Sequence, residues 1–121
     1  MGAKIEVWVD EDRRIIRQRI EGDLDLEDFG RLEEETETVA RELGDPGAVL
    51  ILVDGRNLGR PALRARARML RTLERPSLRR IAMFGAGAAG RAMARLLSMM
   101  LRVKKLRVFG DEKQAIEWLL S

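Results

Sequence analysis

Two stretches of this 121-residue chain place residues at spacings that could do chemistry. In "RIAMFGAGAAGRAMARLL" (Arg80 to Leu97), Gly85, Gly87 and Gly90 spell G-x-G-x-x-G between a short apolar run and a helical pattern. Asp111 follows a second apolar run, "LRVFG". This is the layout of a dinucleotide-binding turn. Two glycines bring backbone close to a pyrophosphate, the third lets a helix pack closely, and the helix N-terminus offers N–H groups to an anion. Asp111 could then accept from a ribose hydroxyl. In "LVDGRNL" (Leu52 to Leu58), Asp54 ends an apolar run with Arg56 and Asn57 beside it. A carboxylate at the end of a central strand is where α/β folds put function. The plainer role for Asp54 is to satisfy loop N–H groups in a turn.

The residue types that are missing narrow the chemistry. The chain has no His, no Cys and no Tyr. That removes the commonest general base and metal ligand, together with thiolates and disulfides, and leaves acid–base work to carboxylates or Lys. No catalytic residue, metal or cofactor is expected. The dinucleotide reading meets three objections. One domain spanning residues 1–121 leaves no room for a second, substrate-binding domain. Only one strand and one helix follow the glycines, in a sheet expected to lack the switch-point crevice such cofactors need. Asp111, three residues before Gln114, reads as a helix cap. Gly85, Gly87 and Gly90 are therefore expected to serve close packing, with a smaller anion at the helix end as the alternative.

Charge is divided along the chain. Residues 1–47 carry 7 basic and 15 acidic side chains, and residues 48–121 carry 16 basic and 5 acidic. The basic excess centres on "RPALRARARMLRTLER" (Arg60 to Arg75), where Arg64, Arg68, Arg71 and Arg75 form a stripe. Nucleic acid would want aromatic platforms among these cations, and Trp8, Phe29, Phe84, Phe109 and Trp118 all lie elsewhere. Nucleic acid is not an expected partner. Acidic and basic helices that flank each other, or meet across a dimer, account for the split. Arg outnumbers Lys 19 to 4, which fits a GC-rich bacterial genome. There is no secretory signal, and the longest apolar run, "GAVLILV", is far below the roughly 20 residues of a membrane span. A cytoplasmic protein without a transmembrane segment is expected.

The elements that must position these groups follow from periodicity. "KIEVWVD" alternates Ile5, Val7 and Val9 against Lys4, Glu6 and Trp8, and pairs with Arg14–Glu21 as an antiparallel hairpin. A helix capped by Asp25, with Asp28 three residues on, presents Phe29, Leu32, Val39, Ala40 and Leu43 on one face. Gly44 stops it and Pro46 keeps it stopped. Ala48–Asp54, Leu78–Phe84 and Lys105–Phe109 read as buried parallel strands, and "GRNLGRP" as a loop. A second helix runs from Pro61 to about Glu74 on Leu63, Ala67, Leu70 and Leu73. A third carries Met93, Leu96, Leu97, Met100 and Leu101, and a fourth, from Asp111, anchors Trp118 in the core. The expected fold is a single α/β domain: a five-stranded, mostly parallel sheet with an N-terminal antiparallel hairpin and four helices. The apolar arc of the Met-rich helix is wider than one sheet face requires. Met99, Met100 and Leu101 are therefore candidates for a homodimer seam or a lipid-facing patch.

The order and spacing of "EGDLDLEDFGRL" (Glu21 to Leu32), "LILVDGRNL" (Leu50 to Leu58), "RRIAMFG" (Arg79 to Gly85) and "VKKLRVFGDEKQAIEWLL" (Val103 to Leu120) resemble the STAS domain superfamily. Phe109, Ala115, Trp118 and Leu119 look most like its SpoIIAA-like branch, grouped as STAS/CRAL-TRIO-like. The resemblance implies a non-enzymatic module that binds a protein partner or itself. A small-ligand or lipid-binding domain is the alternative, by analogy of fold. One departure is plain. Relatives that antagonise anti-sigma factors carry a phosphorylatable Ser or Thr after the third strand, whereas "LVDGRNLGRPAL" (Leu52 to Leu63) has neither. That switch does not carry over.

Overall fold

The computed structural model describes residues 2–44, 48–101 and 105–121. Six strands form one sheet: β1 (Lys4–Asp10), β2 (Ile15–Leu24), β3 (Val49–Asp54), β4 (Leu58–Pro61), β5 (Leu78–Phe84) and β6 (Leu106–Phe109). The main order is β1-β2-β3-β5-β6, with β4 paired to the far end of β2. Only β1 and β2 are antiparallel; every later pairing is parallel. The main order follows the sequence without reversal, so no switch point opens beside Phe84.

The hairpin's second strand runs three residues past its expected end. Its extension, Gly22 and Leu24, meets Leu58 and Pro61. This pairing converts part of the expected loop "GRNLGRP" into a sixth strand. It also corrects the second helix. Ala62 donates its N–H to the Leu24 carbonyl, holding Pro61 in β4, and a single 3-10 turn (Leu63–Ala65) precedes α2 (Arg66–Glu74). Ala67 is exposed, and Met69 takes its place beside Leu73 in the core.

The remaining helices are α1 (Leu26–Leu43), α3 (Ala88–Leu101) and α4 (Glu112–Leu120). The caps are as the sequence suggests. Asp25 and Asp28 form a reciprocal capping box, and Gly44 ends α1 at φ 72° with its N–H on Arg41 O. Pro46 lies outside the described residues. Asp111 accepts from Gln114 N at 2.8 Å.

Successive strand residues point to opposite faces, giving two cores. Ile16, Ile20, Ile51 and Val53 pack under α1 and α2, with Met93 of α3 against them. Ile15, Leu52, Ala82 and Phe84 pack under α4. Trp118 is half-buried rather than fully enclosed, tilted against Phe109 with ring centroids 5.8 Å apart. The deepest anchor of α4 is Leu119.

Candidate functional site

The glycine turn and the Asp54 loop, 31 residues apart, meet at neighbouring strand ends, since Asp54 pairs with Phe84. Asp54 is buried and accepts from Arg56 three times: from the backbone N–H at 3.1 Å, Nε at 3.0 Å and Nη2 at 2.8 Å. Arg19 adds an ion pair at 3.5 Å. The Arg56 side chain is the main reason the Asp54 carboxyl lies below its ordinary range, with its N–H and Arg19 reinforcing it against burial. Asp54 thus serves its turn and holds one arginine. Its oxygens are occupied.

That arginine also decides the glycine turn. The Arg56 guanidinium stacks over Phe84, 5.5 Å from the ring centroid, and its Cγ sits where a side chain on Gly85 would be. Gly85 has φ 74°, which a side chain would make strained, and its N–H donates to Phe109 O at 3.3 Å. A Cβ on Gly90 would lie 3.1 Å from Ala86 Cβ, a tight contact that favours glycine there. Gly87 faces open space. The Arg56 side chain therefore fills the space over Gly85, the glycine of the tight turn, and Asp111 caps α4. Asn57 is tied by its carbonyl to Gly22 N at 2.9 Å, with its side chain in solvent.

The charged helices flank each other within one chain. Arg68 Nε lies 3.0 Å from Glu33 Oε1, Arg75 lies 3.6 Å from Glu33 and 2.5 Å from Glu37, and Thr72 donates to Glu33 Oε2 at 3.0 Å. The acidic excess of α1 and part of the basic excess of α2 thus satisfy one another. On α3, Leu96 is 38% exposed and Met99 70%. The side chains of Met100 and Leu101 lie outside the described residues.

Behind the α1–α2 ion pairs lies a feature no motif announced, an apolar cavity of about 190 Å³. Its floor is the sheet: Ile20 of β2, Ile51 and Val53 of β3, Ile81 and Met83 of β5, and Leu106 of β6. Phe29, Leu32 and Ala40 of α1, Met69 and Leu73 of α2, and Met93 and Ala94 of α3 form its walls. The polar lining includes Gln18, which donates to Thr36 Oγ1 at 2.9 Å, and the Glu33, Glu37, Thr72 and Arg75 group. Arg75 and Glu37 are each nearly half exposed, so the polar side faces solvent. Interiors normally pack like organic crystals. The sequence signal was the set of small residues facing the sheet: Thr36, Ala40, Gly90 and Ala94. Among the described residues, no group of three or more acidic side chains could hold a metal ion, and no helix is long and apolar enough to cross a membrane.

The fold and its cavity can be set beside known proteins. The SpoIIAA-like family model matches residues 15–120, and the chain belongs to that family. An uncharacterized protein of the DUF3478 family with a SpoIIAA-like fold, from Shewanella loihica PV-4, superposes with a TM-score of 0.67. It is 20% identical, and the match covers 98% of this chain and 93% of that one. No curated protein matches the chain.

Proposed function

We propose that this SpoIIAA-like domain is a non-enzymatic binding module that encloses a small apolar ligand, or the end of a single aliphatic chain, between its sheet and helices α1–α3. The observation that carries this reading is the cavity. Its lining is aliphatic and aromatic apart from one polar side, where a ligand's polar end would meet Gln18, Thr36 and Arg75. Its volume is below the roughly 300–1,000 Å³ of drug-sized pockets, so the occupant is slender. The groups that might have done chemistry support the non-enzymatic half of the reading, since Asp54, Arg56, Gly85 and Asp111 all have structural partners.

Ligand capture and regulation are compatible. A bound chain would hold α1 and α2 against the sheet, so occupancy would be readable on the helix surface. A protein-contact role is a second reading, favoured by exposed Leu96 and Met99 on α3. Any such regulation would not run through a hydroxyl in Leu52–Leu63.

Native mass spectrometry of gently purified protein tests the main reading. An adduct that disappears on denaturation, and whose removal lowers the thermal midpoint, is the expected result, because a ligand that binds only the folded state stabilises it by mass action. Protein that carries no adduct, and whose midpoint is unmoved by medium-chain fatty acids, would refute it.

A further inference from the structure

The two edges of the sheet are unlike. β6, at one edge, has four residues. β1, at the other, has seven, and it pairs with β2 in unbroken register from Lys4↔Glu21 to Asp10↔Ile15. Among the described residues β1 has no other strand beside it. Edge strands are usually protected by shortness, proline, a bulge, an inward charge or charged side chains along the edge, and of these β1 has only the charges Lys4, Glu6 and Asp10, which are of mixed sign. β1 has no proline, no glycine, no bulge and no residue at positive φ. Its start is also held firmly. Ala3 is buried, its N–H donates to Asp28 Oδ2 at 3.0 Å, and Arg31 donates to its carbonyl at 3.2 Å. The result is a straight, anchored row of backbone donors and acceptors facing outward.

We propose that this edge is the seam of a homodimer, in which the β1 strands of two copies pair antiparallel about a two-fold axis at Val7 and make one continuous sheet. The strand's own sequence selects that register. Apolar Ile5, Val7 and Val9 share the face toward α1, and Lys4, Glu6, Trp8 and Asp10 share the other. Pairings that keep the faces aligned must therefore set like parity against like. With Val7 opposite Val7, Ile5 faces Val9, Glu6 faces Trp8 and Lys4 faces Asp10. Two-fold symmetry makes each of these contacts twice. A two-residue shift one way sets Glu6 against Glu6, and the other way sets Glu6 against Asp10. Directly opposed like charges are destabilising, and opposite charges favourable. The pairing also lies beside a shallow groove between β1 and α1 lined by Ile5, Val7 and Val39 together with Glu6, Trp8, Glu35 and Thr38. Backbone bonds supply affinity and alternate side chains supply register, as in strand addition generally. This inference is independent of the cavity. It also moves the expected dimer contact away from Met99.

Sedimentation equilibrium of the full chain tests it. The wild type is expected to be a dimer at micromolar concentration. Lys4→Asp alone and Asp10→Lys alone each place like charges opposite one another twice, and should weaken the dimer about tenfold; Asp10→Lys also removes the Asp10 ion pairs with Arg13 and Arg17 within the chain, so Lys4→Asp is the cleaner of the two. The double variant Lys4→Asp with Asp10→Lys should restore it, which general damage to the strand would not do. Circular dichroism confirms that each variant is folded. A wild-type monomer at high micromolar concentration would overturn the proposal. So would a dimer dissociated by Met99→Asp and indifferent to the charge exchanges, or a double variant no better than the singles.

Discussion

One sheet carries two cores, and they are not packed alike. On one face nine-residue α4 seats Leu119 and Ala115 against Ile15 and Leu52, each at 2% exposure or less. Trp118 and Phe109 close the side, and Arg80 donates to Trp118 O at 2.6 Å to hold the helix end. On the other face three helices cover more of the sheet and still leave a cavity. Small residues accompany the opening: Thr36 and Ala40 of α1 and Gly90 and Ala94 of α3 line it beside Phe29, Leu32 and Met93, whereas α4 packs Leu119 and Ala115 with Trp118 and Ile116 against its side of the sheet. Dense packing on one side shows that this chain can fill a core. The opening on the other side is the proposed ligand site, with Arg75 and Glu37 on its solvent side.

The largest effect should come from the dense face. Leu119→Ala is expected to cost about 3–5 kcal/mol in chemical denaturation, near the top of the range for buried leucine, because its neighbours have no slack. A loss under about 1 kcal/mol would erase the contrast between the faces.

Filling the two cores should have opposite signs. Ala115→Leu under α4 should destabilise by about 1–3 kcal/mol through overpacking. Ala94→Leu, beside the cavity, should stabilise the ligand-free protein by about 0.5–2 kcal/mol. Thermal melts of the two variants would show the signs directly, and the same sign in both would contradict the account.

Acid should weaken the anchor of α1 on the cavity face. Asp28 has its pKa lowered from 3.8 to about 2, chiefly by the Ala3 N–H and then by Arg31. A depressed carboxyl contributes stability that is complete above its unfolded pKa and is lost as pH falls through its folded value. Stability should therefore drop between about pH 4 and pH 2, and Asp28→Asn should flatten that part of the curve. An unchanged acid limb in the variant would remove Asp28 from the explanation.

The smallest effect concerns the ion pairs over the mouth. Arg75→Ala should change stability by only about 0–1 kcal/mol, since the side chain is nearly half exposed. It should speed ligand exchange in stopped-flow displacement, and exchange at the wild-type rate would show that Arg75 does not guard the opening.

Much of this organisation was legible in the sequence. Period-two alternation gave β1, buried runs gave β3 and β5, and Asp25, Gly44 and Asp111 marked helix ends that the structure keeps. The short strand β4 was not legible, because "LGRP" becomes a strand only when the end of β2 lies beside it. The glycine fingerprint misleads for a similar reason. Its spacing is local, but the Arg56 side chain that fills the place over Gly85 comes from a turn 29 residues earlier, at the end of the neighbouring strand. The cavity was the least visible feature. It is an absence of side-chain volume, shared among eight elements, and no single stretch of residues encodes it.

Isothermal titration calorimetry with a medium-chain fatty acid, run at several temperatures on the wild type and on Ala94→Leu, tests the central claim most directly. The account predicts one-to-one binding with a negative heat-capacity change, the mark of apolar burial, and loss of that binding when the leucine fills the cavity. No binding by the wild type, or equal binding by the filled variant, would contradict it.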